Sequence, residues 1–189
     1  MVARQEEVNM NTETIVFGGG CFWCTEAVFL MIKGVQSVVP GYAGPQYKTE
    51  KGPSYDEVST GSTPYVESAK LVYDPDNIAF PELLQVYFAS HDPTTPNRQG
   101  NDVGPQYRSV IFYTTERQKQ MAETYIKNIQ SNFSKPIVTT VEPLIQFYKA
   151  EDYHQKYYEN HKDAGYCQLI IAPKVEKVQE KFANLLKKS

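Results

Sequence analysis

The chain of 189 residues carries a net charge of −3 at neutral pH, and 41% of its residues are apolar. This length suits one domain with a substantial core, so we expect residues 1–189 to form a single domain. The acidic balance argues against a nucleic-acid-binding protein, which would need a basic face. No stretch approaches the ~20 apolar residues of a membrane span, and the polar residues 1–11 contain no apolar region of a signal peptide. We therefore expect a cytoplasmic protein, or a mature form whose leader is not shown, that does not enter a membrane.

Hydrophobic periodicity and turn-forming residues divide the chain into alternating strands and helices. Strands are predicted at residues 14–17, 35–39, 66–73, 108–114 and 137–147, the last interrupted near Pro143. Helices are predicted at residues 25–33, from Pro81 through Phe88, 116–132 and 174–188. Long loops, which are often functional, are predicted at residues 40–64 and 92–106. This pattern favours an α/β two-layer sandwich with a mixed or antiparallel sheet and flanking helices over a doubly wound parallel fold.

Cys21 stands where a predicted strand and three glycines meet a helical pattern. At a helix N-terminus the dipole and the free N–H groups favour a thiolate, and residues 18–20 leave the sulfur open to a ligand. A buried, inert cysteine is the plain alternative, since free Cys is among the most buried residue types. The large rings of Phe22 and Trp23 directly after the turn favour a small apolar pocket instead.

Cys24 follows Cys21 at a spacing that places both sulfurs on one helix face. The pair is typical of a redox site, and a thioredoxin-type disulfide oxidoreductase is one alternative function. The pair is also half of a possible zinc site completed by Cys167, His154 or His161, which would make the chain a zinc-binding interaction module. A Cys–His acyl-transfer enzyme that uses His154 or His161 as its base is a third alternative. Redox chemistry is favoured over zinc because the second half of the chain lacks closely paired ligands.

Glu67 lies inside an apolar, strand-like run, where burial would raise the pKa of its carboxyl group and keep it protonated. The plain alternative is a carboxylate facing water on an alternating strand. Asp102 by itself resembles an ordinary turn aspartate. Tyr55 and Tyr107 are two of fourteen tyrosines, and spacing alone does not assemble these residues into a site.

Taken together, several segments of the chain resemble the peptide methionine sulfoxide reductases of the A class. The matching segments are residues 20–26 (GCFWCTE), 41–44 (GYAG), 52–61 (GPSYDEVSTG), Glu67 with 72–75 (VYDP), 91–94 (HDPT), 102–109 (DVGPQYRS) and 147–155 (FYKAEDYHQ). The resemblance covers roughly residues 13–186 in the order of the family, which makes a chance match implausible.

The resemblance implies an enzyme that reduces the S epimer of methionine sulfoxide, free or in proteins. Cys21 matches the nucleophile that attacks the sulfoxide sulfur, and Glu67 matches the acid that protonates its oxygen. The remaining residues match groups that surround the substrate: Tyr55 and Tyr107 grip the oxygen, Asp102 orients the site, and Phe22 and Trp23 hold the methyl group.

The family pattern also implies how the resulting sulfenic acid is cleared. Cys167 resembles the distal recycling cysteine of some members and is the favoured resolving thiol, and Cys24 resembles the partner in members with a Cys-x-x-Cys site and is a close competitor. Thioredoxin is the expected external reductant. We expect a monomer without a bound cofactor or metal that repairs oxidised proteins.

Overall fold

The computed structural model describes residues 11–188; the polar segment at residues 1–10 and Ser189 lie outside the described part of the chain. The strands are β1 (Glu13–Gly18), β2 (Val35–Gly44), β3 (Val66–Tyr73), β4 (Arg98–Gln99), β5 (Asp102–Val103), β6 (Val110–Tyr113), β7 (Thr140–Pro143) and β8 (Gln146–Lys149). The α-helices are α1 (Phe22–Leu30), α2 (Tyr55–Ser59), α3 (Phe80–Ser90), α4 (Glu116–Ile129), α5 (Tyr157–Asn160) and α6 (Ala172–Lys181). Short 3₁₀ turns and a π-helical turn, Cys167–Ile171, join them.

The main sheet has the strand order β7-β6-β1-β3-β2-β8. Its neighbours pair antiparallel except β6 and β7, which are parallel. The expected mixed sheet with flanking helices is therefore confirmed. A separate two-stranded ribbon is formed by β4 and β5.

Two apolar clusters connect the sheet to the helices. The larger cluster places β1 and β3 against α1, α3 and α6, with Phe17 stacked between the rings of Phe29 and Tyr87. The second cluster brings Cys21, Cys24 and Cys167 together with residues of β2, β8 and α6. Burial of these side chains is the main favourable term in folding, and it also fixes the position of the cysteines.

The loop predicted at residues 40–64 is wrong at its start, where β2 continues to Gly44, and in its interior, where α2 spans Tyr55–Ser59. Pro40 fits in β2 because its backbone faces the β8 side, where its carbonyl accepts from Ala150 at 3.0 Å and the paired residues begin only at Gly41. Because the pairing of β2 with β8 begins only at Gly41, the missing N–H of Pro40 breaks no bond between these two strands. Helix α2 starts with a capping box of Ser54 and Glu57, a sequence signal that a loop interpretation overlooks.

Other boundaries also differ from the prediction. The predicted loop at residues 92–106 contains the β4–β5 hairpin, and the strand predicted at 137–147 is two strands that pair at opposite edges of the sheet. The final helix begins at Ala172 and ends at Lys181, after which the chain continues as a 3₁₀ turn. Where each of these elements begins and ends depends on the strand or apolar cluster that it packs against. Local periodicity does not specify that contact.

Candidate active site

Cys21 occupies the N-cap position of α1, directly after β1 and the glycine turn. Gly20 has a φ of +93°, a conformation that favours glycine, and an added Cβ would press on the side chain of Gln99. The thiol is only 7% exposed. The predicted placement at a helix start is therefore confirmed.

The prediction that this placement favours a thiolate on Cys21 is wrong. Burial raises the pKa of the Cys21 thiol well above its ordinary value, and the hydrogen bond with Cys24 raises it further. The backbone N–H of Trp23 lowers the same pKa, as a helix start should, but desolvation outweighs it. Cys21 is therefore a neutral thiol at neutral pH.

Cys24 shows the opposite shift. The hydrogen bond from the Cys21 thiol lowers the pKa of Cys24 to about 7, against the effect of burial, and Lys174 lowers it as well. Within the pair, the Cys24 thiol is therefore the one that loses its proton more easily.

Glu67 lies in β3, opposite Tyr42 of β2, and is 2% exposed. Its carboxylate oxygen Oε2 accepts the backbone N–H of Phe22 at 3.3 Å, which places the acid beside the start of α1. Burial raises the pKa of Glu67 to about 8, with Asp102 and Cys24 adding to the effect. The predicted burial of Glu67 is confirmed and the alternative of a carboxylate facing water is wrong, while its role as the acid stays a prediction.

A cavity of about 80 Å³ is lined by all the residues that were predicted to act as nucleophile, as acid, as donors to the sulfoxide oxygen or as contacts of the methyl group. Its lining consists of Cys21, Phe22, Trp23, Tyr55, Glu67, Asp102, Tyr107 and Tyr166. Burial raises the pKa of Tyr55 to about 12 and that of Tyr107 further, so both hydroxyls are donors at neutral pH.

Tyr166 is the member of this cavity that sequence analysis missed. Its hydroxyl donates to Asp102 at 3.2 Å, and its ring meets Trp23 edge-on with the centroids 5.8 Å apart. Burial raises its pKa, and so does the neighbouring thiol of Cys21. Its position next to Cys167 was the available signal, but one tyrosine among fourteen carries no distinguishing spacing.

The side chain of Trp23 is held in place by His154 and Tyr157. Its indole N–H donates to Nδ1 of the buried His154 at 3.1 Å, and its ring stacks on Tyr157 with centroids 3.6 Å apart. Nδ1 of His154 therefore accepts the Trp23 N–H and is not free to act as a base for Cys21. This contact argues against the Cys–His acyl-transfer alternative. His161 is exposed and contacts the carbonyl of Tyr157.

The remaining thiols lie within the same apolar cluster as Cys21. Cys24 is 4% exposed and Cys167 is fully buried in the π-helical turn, and all three cysteines are free. Burial raises the pKa of Cys167, which therefore stays a neutral thiol. Across residues 11–188 no group of three His, Cys, Asp or Glu side chains is arranged to hold a metal ion, so the zinc alternative finds no ligand set there.

A buried thiol at a glycine turn, facing a neutral carboxylic acid in an aromatic pocket with further thiols nearby, defines a thiol-dependent oxidoreductase. The sequence model of the family Peptide methionine sulfoxide reductase matches residues 13–186, and the chain belongs to this family.

Individual relatives agree with this assignment. The chain is 51% identical over 172 residues to a peptide methionine sulfoxide reductase MsrA of Sulfolobus acidocaldarius, a match that covers 91% of this chain and 96% of the relative. It is 50% identical to the protein of the same name from Acinetobacter baumannii, with 91% and 97% covered.

Solved structures give the same result. Methionine sulfoxide reductase A of Corynebacterium diphtheriae superposes with a TM-score of 0.74 at 35% identity, covering 80% of this chain and 76% of that one. Reduced Mxr1 from Saccharomyces cerevisiae superposes with a TM-score of 0.77 at 32% identity, covering 82% and 89%. No helix within residues 11–188 is long and apolar enough to cross a membrane.

Proposed function

We propose that this chain reduces the S epimer of methionine sulfoxide, in proteins and as the free amino acid, to methionine. The observation that carries the proposal is a single cavity lined by the Cys21 thiol, the neutral Glu67 carboxyl group and aromatic rings. Family membership supports the reaction class. The preference for the S epimer follows the resemblance to the A class of these enzymes.

In this mechanism Glu67 is the general acid. A sulfoxide sulfur is a poor electrophile until its oxygen is protonated, and a carboxyl with a pKa of about 8 holds a proton at neutral pH. The hydroxyls of Tyr55 and Tyr107 donate to the same oxygen, where they stabilise the charge as the bond to sulfur changes. Asp102 accepts the hydroxyl proton of Tyr166 and so holds this ring in the wall of the cavity.

Cys21 is the nucleophile. As its sulfur attacks the sulfoxide sulfur, its proton passes to the Cys24 thiolate, with which it already shares a hydrogen bond. Oxygen transfer leaves methionine and a sulfenic acid on Cys21. Phe22 and Trp23 enclose the substrate methyl group, and His154 fixes the angle of the indole.

The sulfenic acid is cleared by a second thiol of the same cluster. Cys24 and Cys167 are the resolving candidates; either thiol forms a disulfide with Cys21 and releases water. Thioredoxin then reduces the disulfide. Mxr1 from Saccharomyces cerevisiae, which shares the fold, has been determined in complex with Trx2.

We further propose a monomer in which residues 1–189 form one domain, with a core of about 13–186. It needs no bound cofactor, binds no nucleic acid and repairs oxidised proteins in the cytoplasm under oxidative stress. The match of the family model to residues 13–186 supports the extent of the domain.

The test is a single turnover followed by intact mass. Reduced protein is mixed with one epimer of methionine sulfoxide, and methionine is quantified beside the mass of the chain. We expect one methionine per chain and a loss of two hydrogens with the S epimer, and neither with the R epimer or with Cys21→Ser. Absence of turnover of the S epimer would overturn the proposal. A thioredoxin-type oxidoreductase would instead tolerate loss of Glu67 and require Cys24.

A further inference from the structure

Glu26 is the acidic residue that ends the segment GCFWCTE, and the proposed mechanism gives it no task. It is 1% exposed, and among residues 11–188 it forms no ion pair with a lysine, arginine or histidine. Burial raises the pKa of its carboxyl group to about 7, so the interior position is unfavourable for the ionised form. A buried polar group of this kind is expected to make a specific hydrogen bond.

Glu26 binds the backbone at the start of α5. Its Oε1 accepts the N–H of Lys156 at 2.8 Å, and the two residues are 130 positions apart in the sequence. Lys156 has a φ of +53°, a left-handed conformation that costs a residue with a side chain roughly 1–2 kcal/mol. Within the part of the chain that the structure describes, residues 156–161 make no hydrogen bond to another element except through Glu26. Glu26 is therefore the group that fixes this strained segment on α1.

The segment that Glu26 fixes is the one that holds Trp23. Tyr157, which follows Lys156, stacks on the indole with the centroids 3.6 Å apart and the ring planes at 6°. His154, two residues before Lys156, accepts the indole N–H on Nδ1 at 3.1 Å. Trp23 and Glu26 are three residues apart on α1, so both lie on one face of the helix and contact the same segment. A shift of Lys156 would therefore move both groups that set the angle of the indole.

We propose that Glu26 is the positioning residue that sets the size of the substrate methyl site, because it fixes residues 154–157 against the Trp23 indole. This inference rests on the proposed function, in which Phe22 and Trp23 enclose the methyl group. Glu26 does not line the active-site cavity, so it acts on the substrate only through Trp23. A fixed indole keeps the cavity at about 80 Å³ and excludes a longer alkyl group.

One methylene group is the difference that such a site should detect. Methionine sulfoxide and ethionine sulfoxide differ only by one methylene in the alkyl group on sulfur, and the reaction at the sulfur is the same. Because one methylene in a hydrophobic pocket changes kcat/KM by roughly 10- to 200-fold, we expect the wild type to prefer methionine S-sulfoxide by at least about tenfold.

The test uses the full chain and three variants. Glu26→Ala removes the acceptor, Glu26→Gln keeps an oxygen that can accept the Lys156 N–H, and Glu159→Ala is the matched control. Glu159 lines the same cavity of about 360 Å³ as Glu26, but it is exposed. For each protein, single-turnover product release is measured against the concentration of each S-sulfoxide, which gives a limiting rate and a half-saturating concentration.

Fluorescence gives a second measurement that does not depend on turnover. Trp23 is the only tryptophan of the chain, so the emission maximum and its quenching by acrylamide report directly on this indole. In Glu26→Ala we expect emission at longer wavelength and stronger quenching, because the stacked indole becomes more accessible to water. Glu26→Gln and Glu159→Ala should keep the wild-type spectrum.

The kinetic result should affect binding more than the chemical step. In Glu26→Ala we expect the preference for methionine over ethionine sulfoxide to fall to about threefold or less, and the half-saturating concentration of methionine sulfoxide to rise roughly tenfold. The limiting rate should stay within about threefold of wild type, because the nucleophile Cys21 and the acid Glu67 are unchanged. Glu26→Gln and Glu159→Ala should match the wild type in all three quantities.

A second background separates positioning from a general loss of structure. In Trp23→Ala the methyl site lacks the indole, so adding Glu26→Ala should not change the preference further. A further loss of preference in this background would overturn the inference. Should Glu26→Ala lose its cooperative thermal transition, Glu26→Asp takes its place, because the shorter side chain withdraws the acceptor from Lys156.

The remaining outcomes distinguish this inference from the proposed function. If no protein releases methionine from the S epimer, the proposed function fails, and the emission of Trp23 alone decides whether Glu26 fixes the indole. If methionine is released but Glu26→Ala keeps the wild-type preference and emission, the role of Glu26 is wrong. A Glu26→Gln variant that behaves like Glu26→Ala also overturns it, because the amide oxygen can accept the same N–H.

Discussion

The substitution Glu67→Gln tests the acid with little change in shape. Gln has nearly the same size, and its carbonyl can still accept the N–H of Phe22, which Glu67 accepts at 3.3 Å. The amide cannot transfer a proton to the sulfoxide oxygen. General acid catalysis commonly contributes roughly 100- to 10,000-fold, so we expect methionine release in a single turnover to slow by about 100-fold or more.

The pH dependence of the same variant sharpens the test. With a pKa of about 8, Glu67 is about 90% protonated at pH 7, so the wild-type rate should fall as pH rises through about 8. The rate of Glu67→Gln should show no such fall. A variant that keeps its rate within fivefold of wild type, or that repeats the wild-type profile, refutes the assignment of Glu67 as the acid.

The same substitution, Glu67→Gln, should slow the reaction but raise the free energy of unfolding at neutral pH. The pKa of Glu67 is raised on folding, so its contribution to the free energy of unfolding is fully present below about pH 4 and is lost as pH rises toward about 8. At pH 7 this loss amounts to about 3 kcal/mol. Gln carries no such loss, and so urea titrations should find Glu67→Gln gaining on wild type by up to about that amount between pH 4 and pH 7. Equal pH dependence of the two proteins would show that the carboxyl is not buried.

Further substitutions test the surroundings of the site. Tyr166→Phe removes the hydroxyl that donates to Asp102, and we expect turnover to fall roughly tenfold with unchanged unfolding by urea; an unaltered rate would exclude a role in the site. Gly20→Ala forces a side chain into a backbone with φ of +93° and should cost about 1–3 kcal/mol in urea unfolding, whereas a cost near zero would contradict the strained turn. Leu83→Ala empties a fully buried position and should cost about 2–5 kcal/mol by the same assay, while the rate at low temperature stays near wild type.

Much of the local structure was predictable from the sequence. The strand, glycine turn and helix around Cys21 follow from apolar runs and from the conformational freedom of glycine, and they are found as β1 and α1. The apolar run around Glu67 indicated burial, and burial is the cause of its raised pKa. The capping box of α2 was also readable, although the loop prediction passed over it.

The assembly of the site was decided by tertiary structure alone. Tyr55, Asp102 and Tyr107 lie in separate short elements, and only the packing of these elements against the start of α1 brings them to one cavity. Tyr166 joins them through the turn that buries Cys167. Sequence spacing has no information on such contacts, because each is set by strand pairing and apolar packing between distant segments.

The position of Cys21 and the state of its thiol show the same division. The sequence determined that the sulfur stands at the N-terminus of a helix, because glycine freedom and helical periodicity are local properties. Whether that thiol is charged was decided by the folded molecule, since desolvation depends on every segment that covers the group. Packing also buries Cys24 beside Cys21, and the hydrogen bond from the Cys21 thiol lowers the pKa of Cys24 rather than that of the nucleophile.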